Sequence, residues 1–297
     1  MAADRHTPIF EAERRRLAGL AYRMTGSVAD TEDILQQAWI RFAKQDLAAV
    51  DNPPRWLGAV VTRLCLDHLK SARMQRETYV GAWLPEPLVE DSARSAEQES
   101  ILAEDVGIAL VLTLDVLPPE MRAAFILRDA FDYSFEEISA IVGRTPSTCR
   151  QLVSRARRKI AGADMSSRVP PEDEAPIVTA FWRASREGDM QGLIELFADE
   201  IEVHTDGGGK VPAAINVLKG RRRAVGFFVG LARKGPQPPQ RCPPLSRING
   251  SPGFVSLEPG DVLQTTAIDI RGGRIAAIWI VRNPDKLRHV PRPPAAP

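Results

Sequence analysis

Apolar residues recur at three- and four-residue steps from about position 8 to 75, and again from 101 to 162. That spacing places them on one face of a helix, so both stretches read as wholly helical. SVADTEDILQQAWIRF predicts a helix start with Asp30 as the cap and acids in the first turn. NPPRWLGAVVTRLCLDHLKSARMQRE predicts another, with prolines near its start and basic residues near its end. Between the helical stretches the pattern breaks. Residues 76–100 are polar and proline-containing and read as a linker, yet they carry the apolar WLPEP at 83–87. A second linker, 163–175, includes most of DMSSRVPPEDEAP. Beyond it one helix is expected at 176–189, and then the texture changes to glycine, proline and short β-type runs. DVLQTTAIDIRGGRIAAIWIVRN predicts a hairpin turning at RGGR. The fold class is therefore multidomain: two all-α domains at 8–75 and 101–162, followed by an α+β domain at 176–290.

The most informative stretch is SFEEISAIVGRTPSTCRQLVSRARRKI, residues 134–160. Ser134 and Glu137 can form a capping box. Gly143 stands where a left-handed C-cap belongs, and Thr145 with Pro146 can open the next helix. Leu152, Val153, Ala156 and Ile160 form the expected buried stripe. Ser147, Thr148, Arg150, Gln151, Ser154, Arg155 and Arg158 fall mostly outside it. Two short helices joined by this turn make a helix-turn-helix, whose second helix offers its N-terminal side chains to the DNA major groove. Arginine and glutamine suit base edges; hydroxyls and further arginines suit phosphate.

Charge sharpens that reading. The chain's formal net charge is only +1, but Arg144 to Lys159 holds six basic residues and no acid. A basic stripe on a balanced protein indicates one defined anionic contact. Cys65, Cys149 and Cys242 are far apart with no C-x-x-C pair, so they read as packing residues and no metal site is expected. No apolar run approaches the roughly 20 residues of a membrane helix, and the N-terminus has no signal-peptide core, which reads as cytoplasmic. HTDGGGKVP, residues 204–212, looks at first like a phosphate cradle. Val211 and Pro212 follow the lysine where a P-loop needs a hydroxyl and a helix start. The glycines instead suggest a tight turn or a close backbone approach.

LPPEMRAAFILRDAFDYSFEEISAIVGRTPSTCRQLVSRARRKI resembles region 4 of the extracytoplasmic-function (ECF) sigma factors. AYRMTGSVADTEDILQQAWIRF with PPRWLGAVVTRLCLDHLKSARMQRE resembles their region 2. The remainder resembles a SnoaL-like, NTF2-like cone carried by one sigma subgroup, marked by WLPEP (83–87), DGGGK (206–210) and NPDKL (283–287). The resemblance implies core RNA polymerase (clamp and flap) and promoter DNA as partners, a monomeric organisation, no membrane and no cofactor. In region 2 it points to Asp33, Gln36 and Gln37 for polymerase docking. Arg63, His68, Lys70 and Arg73 would face the −10 element. The 46–55 loop lies where the family captures an unstacked base, and Trp56 can either assist there or belong to the core. The helix from Pro146 would read the −35 element.

For the C-terminal domain two roles stand open. An acid–base enzyme would need a placed pair, and His204 with Asp206 on one strand face is thin evidence for one. A domain acting in cis benefits from millimolar-order effective concentration. The C-terminal domain is expected to contact both the linker and the sigma domains and to tune polymerase or promoter access, with Trp83, Leu84 and Pro85 of the linker and Asp206, Gly207, Gly208, Gly209, Lys210, Asn283, Pro284, Asp285 and Lys286 as the interdomain contacts. A small ligand in the cone stays open. The rival readings are a ligand-sensing one-component DNA-binding regulator that never joins polymerase, and an enzyme with a DNA-binding appendage.

Overall fold

The computed structural model describes residues 3–77, 79–90, 107–160, 171–234 and 242–293. The chain divides into two compact units. One comprises Met1–Thr78 and Arg94–Ala163, the other Tyr79–Ala93 and Asp164–Pro297.

The helical unit has two lobes. The first contains α1 (Ala3–Thr25), α2 (Val28–Phe42) and α3 (Pro53–Glu77). Gly26, with φ +70°, ends α1 and delivers Ser27 in extended conformation. The Ser27 hydroxyl accepts from the Asp30 N–H at 3.1 Å and caps α2. This corrects the expectation that Asp30 caps: Asp30 sits inside the first turn, its carboxylate 3.2 Å from His68. Leu20, Tyr22, Ala38, Phe42, Leu57, Val61 and Cys65 are fully buried between the three helices. Each large apolar side chain contributes about 1.5–3 kcal/mol by leaving water. Burial also pushes the Cys65 thiol well above its ordinary range, as suits a packing residue.

The second lobe contains α4 (Ile108–Asp115), α5 (Pro119–Asp129), α6 (Phe135–Val142) and α7 (Pro146–Ile160). The local signals of the sequence are realised. Ser134 and Glu137 form the reciprocal capping box, Gly143 takes φ +72°, and Thr145 Oγ1 accepts from the Thr148 N–H at 3.2 Å. The buried stripe of α7 is Cys149, Val153 and Ala156, with Leu152 and Ile160 half-buried. Cys149 thus takes a place expected of Leu152.

The lobes meet through arginines that satisfy exposed carbonyl ends. Arg122 of α5 is buried; it donates to the Met24 carbonyl at 2.5 Å and to the Asp115 carbonyl and carboxylate at 2.8 Å. Arg55 of α3 donates to the carbonyls of Phe131 (3.3 Å) and Asp132 (3.1 Å), and its guanidinium lies 4.2 Å from the Tyr133 ring centre. The Tyr133 hydroxyl donates back to the Arg55 carbonyl at 3.2 Å. This ring passes over Gly58: a Cβ there would stand 2.1 Å from the Tyr133 oxygen.

The second unit is an α+β domain. Helices α8 (Pro171–Glu187), α9 (Met190–Leu196) and α10 (Arg221–Ala232) cover a seven-stranded sheet in the order β1-β4-β5-β6-β7-β2-β3. The strands are β1 (Val89–Glu90), β2 (Phe197–Asp206), β3 (Leu218–Lys219), β4 (Ser246–Ile248), β5 (Ser251–Glu258), β6 (Val262–Arg271) and β7 (Arg274–Val281). All neighbours are antiparallel except β7 with β2. The RGGR hairpin forms as its sequence predicts, with Arg271 opposite Arg274 and both turn glycines at positive φ. The core joins Val178, Phe181 and Trp182 of α8 to Phe228 of α10 and to Ile268, Ile278 and Ile280 of the sheet. Two boundaries differ from expectation. Helix α8 begins at Pro171, five residues before the expected 176, with Pro176 inside it at the cost of one backbone bond. Residues 79–90, expected to be linker, belong to this domain and supply its edge strand β1.

Gly58→Ala tests the lobe contact. Alanine favours the helix by roughly 1 kcal/mol, so α3 itself gains, while the methyl collides with Tyr133. The expected outcome is faster amide exchange in α6 with unchanged or slower exchange in the middle of α3. Unaltered exchange in α6 would mean that the lobes do not depend on this approach.

Candidate nucleic-acid surface and linker dock

The polar face of α7 is open. Ser147, Arg150, Gln151, Ser154, Arg155 and Arg158 are exposed and Thr148 is half-buried. Arg150 is steered by two contacts, lying 5.0 Å from the Phe135 ring centre and 3.4 Å from Glu136. Arg144 and Arg157 are paired with Glu120 and Asp129, which pins both flanks of the helix. The capped N-terminus of α7 and this exposed stripe make a helix that can enter a major groove.

The residues on α3 have a different setting. Arg63 is exposed but donates to the Ala140 carbonyl, near the C-terminal end of α6, at 3.0 Å. His68 faces Asp30, and Lys70 is 3.3 Å from Asp67. The side chain of Arg73 lies outside the described residues. Trp56 is half-buried with its ring 5.7 Å from Phe42, so it packs at the edge of the core. On α2, Asp33, Gln36 and Gln37 share one exposed face. That face includes a residue the sequence reading missed: Ile40, a large aliphatic left 47% exposed. Its signal was the helical spacing 33–36/37–40, which places it below the polar trio.

The linker residues converge on one carboxylate. Asp206, at the end of β2, has no exposed surface. One oxygen accepts from the Tyr79 hydroxyl (2.5 Å) and the Gly208 N–H (3.0 Å); the other accepts from the Leu84 N–H (2.9 Å) and the Lys286 ammonium (2.7 Å). Lys286 also donates to the Leu84 carbonyl at 2.5 Å and lies 4.4 Å from the Trp83 ring centre and 4.9 Å from that of Tyr79. A desolvated ammonium against two aromatic faces gains a cation–π attraction in addition to its ion pair. Asn283 donates to the Tyr79 hydroxyl at 2.9 Å. Burial, and then the hydrogen bond to Asp206, push the Tyr79 phenol well above its ordinary range.

The glycines make this geometry accessible. Gly208 and Gly209 take φ +59° and +71°, and a Cβ on Gly208 would stand 2.2 Å from the Asn283 amide nitrogen. Lys210 forms an ion pair with Asp285, tying the DGGGK turn to the 3₁₀ turn Pro284–Leu287. Leu84, Pro85, Pro87 and Leu88 are buried on the domain. Further along, His289 contacts the Pro87 carbonyl at 2.7 Å and Asn249 receives the Leu88 N–H at 3.0 Å. Tyr79, Asn249 and His289 were not singled out from sequence. For Tyr79 a signal existed: an aromatic residue in a polar linker, the same argument that selects Trp83.

His204 and Asp206 do not form an acid–base pair. His204 contacts Glu202 at 3.0 Å on the sheet face opposite Thr205, which lines the domain's cavity. Burial holds His204 below its ordinary range, against the pull of Glu202. Asp261 pairs with Arg292 at the surface.

Two helical lobes, one ending in a capped helix-turn-helix, together with an α+β domain define a sigma factor architecture. The Sigma-70 region 2 family matches residues 9–74 and the Sigma-70 region 4 family residues 108–160. The chain is 36% identical over 291 residues to the ECF RNA polymerase sigma factor SigJ of Mycobacterium tuberculosis, covering 95% of this chain and 93% of that one. It is 29% identical to the probable ECF RNA polymerase sigma factor SigI of the same species, over 96% of each chain. The crystal structure of M. tuberculosis SigJ superposes with a TM-score of 0.78 at 33% identity, covering 96% of this chain and 99% of that one. The chain therefore belongs to the ECF RNA polymerase sigma factors, non-enzymatic factors of transcription.

Asp206→Asn tests the dock. It keeps the shape but removes the charge opposite buried Lys286, and breaking a buried pair on one side costs about 3–5 kcal/mol. The expected outcome is a lower melting temperature with earlier proteolytic cleavage in 79–90. Unchanged cleavage would mean that the linker is held by its apolar contacts alone.

Proposed function

We propose that this sigma factor directs core RNA polymerase to promoters, reading the −35 element with α7 and the −10 element with α3, and that its C-terminal domain tunes the process in cis by holding the linker between the two readers. The observation that carries the tuning is the buried Asp206–Lys286 pair closed around Tyr79 and Leu84. The chain from the end of α3 to the start of α4 is the tether that joins the readers. A free tether reaches up to roughly 3.3–3.6 Å per residue; residues seated on a folded domain contribute none of that freedom. Two weak readers on a tether bind a bipartite site with an effective concentration set by its length. Shortening or releasing the tether therefore changes promoter choice without altering either reader.

Arg63 supports a second element of control. Its bond to the Ala140 carbonyl occupies a −10 candidate with the other lobe, so that bond must break before Arg63 offers all its donors to phosphate. The polar trio Asp33, Gln36 and Gln37, with Ile40, is the surface we assign to the polymerase clamp. The factor acts in this reading as a monomer in the cytoplasm, beside the polymerase it serves. Binding to core polymerase separates it from a one-component regulator.

In vitro transcription with core polymerase tests both parts. Full-length protein should bind core and start RNA at a defined promoter; failure of both returns the one-component reading. Truncation after Arg168 should change promoter-specific transcription, and an unchanged yield removes the tuning role. Ending the chain at Arg282 takes away Asn283 and Lys286. A gain there with a loss on full deletion identifies a domain that both restrains and assists. Ile40→Glu should weaken core binding at least tenfold while leaving α7 binding to DNA unaltered.

A further inference from the structure

Between α8, α10 and the sheet the C-terminal domain encloses a cavity of about 280 Å³. Most of its wall is apolar and includes Phe181, Phe228, Phe254 and Ile280. Its charged lining sets three cations, Arg186, Lys234 and Arg282, against one carboxylate, Glu258. Arg186 holds Glu258 in a two-pronged pair, 2.6 and 2.5 Å, and the Ser256 hydroxyl donates to the same carboxylate at 2.7 Å. Burial raises Glu258, but the Arg186 bonds outweigh it and keep the group below the usual carboxylate range. Its hydrogen bonds go to Arg186 and Ser256, and only its charge reaches Arg282. Arg282 lines the same cavity, and its Nη1 donates to the Pro212 carbonyl at 2.7 Å. Its Nε is buried without a hydrogen-bond partner among the described residues. Burial makes the protonated guanidinium less favourable than in water.

A buried donor left unmatched costs about 1–3 kcal/mol, and a guanidinium cannot relieve that cost by losing its proton. Nε has almost no accessible surface, so a planar oxyanion matches it in the two-pronged geometry that arginine favours once the guanidinium turns from Pro212 into the cavity. Gln264 and Thr266 line the wall on the neighbouring strand β6 and add polar groups near one end of an otherwise aromatic chamber. A neutral apolar guest would leave the Arg282 donor unmet, and a cation would face two guanidiniums and the Lys234 ammonium.

We propose that this cavity is a binding site for a small amphipathic carboxylate, with its aromatic or aliphatic body among the phenylalanines and its carboxylate on Arg282. The position of Arg282 gives the site a route to the linker. Its own N–H donates to the Asp206 carbonyl at 2.7 Å, the next residue is Asn283, and its guanidinium is anchored on Pro212, just beyond the DGGGK turn. A carboxylate that draws the guanidinium away from Pro212 acts on both segments that grip Tyr79 and Leu84. The coupling rests on the tuning role proposed above; the binding site does not.

Calorimetric titration of the full-length protein with 2-naphthoate and with 2-naphthylmethanol, which share a ring system and differ in charge, tests the site without polymerase or DNA. One saturable site should take the carboxylate at least tenfold more tightly than the alcohol, and Arg282→Met should abolish that preference. No saturable binding, equal affinity for both, or a preference that survives Arg282→Met overturns the proposal. Should that variant fail to fold, the Ile280 methyl resonance of the unmodified chain decides: naphthoate must shift it more than the alcohol does at equal concentration. A shift at Ile280 with none at the Trp83 indole N–H keeps the site and overturns the coupling. Failure of either leaves cis tuning to be decided separately, by the effect of truncation on transcription.

Discussion

A carboxylate with no exposed surface must have its negative charge met from within the protein, and Asp206 meets this requirement almost entirely with segments remote in sequence. Only Gly208 is local; Tyr79 and Leu84 come from more than a hundred residues upstream, and Lys286 from the far end of the domain. The price of isolating such a charge is several kcal/mol, so the three segments are held together or the domain is strained. Around this point the other contacts of the dock become intelligible. Gly208 lacks a Cβ because Asn283 occupies that space, and Lys286 lies against the rings of Trp83 and Tyr79 because the carboxylate draws it there. The linker's apolar residues, out of place in a polar stretch, find their cover on the same surface.

The helical unit uses a different device. Its lobes are joined where helices and turns present carbonyl groups, and arginines from the opposite lobe satisfy them. Arg55 reaches the turn before α6, Arg63 the last turn of α6, and Arg122 the end of α1. Arg122 is buried and anchored on both sides, whereas Arg63 is exposed and makes a single bond to the other lobe. The contact is thus graded, with a firm centre and an exposed edge that contributes little to holding the lobes together.

Local signals were legible in the sequence, and long-range ones only where a motif stood out. The capping box at Ser134, the left-handed Gly143, the Thr145 cap and the RGGR turn depend on residues within four positions of one another, and each appears as read. Asp30 was misread because Ser27 cannot be recognised as the cap until Gly26 is known to turn the chain. Strand β1 was missed because two residues carry no periodicity; only β4, far away in sequence, makes them a strand. The cavity was anticipated from the resemblance to a cone, but its charge imbalance was not. That Glu258 gives its hydrogen bonds to Arg186 and Ser256 and reaches Arg282 through its charge alone, among the described residues, is a fact of three dimensions.

The edge strand formed by Val89 and Glu90 has a consequence for how the protein is made. It pairs with Ile248 and Arg247, so this sheet cannot be finished until nearly the whole chain has left the ribosome. The helical lobes are built from contacts closer in sequence and can form earlier. During that interval the helix-turn-helix can be complete while Tyr79, Leu84 and Val89 still lack the partners that hold them. Each newly made molecule therefore passes through a stage, set by translation speed, in which its helical lobes can be formed and the seat of residues 79–90 is not.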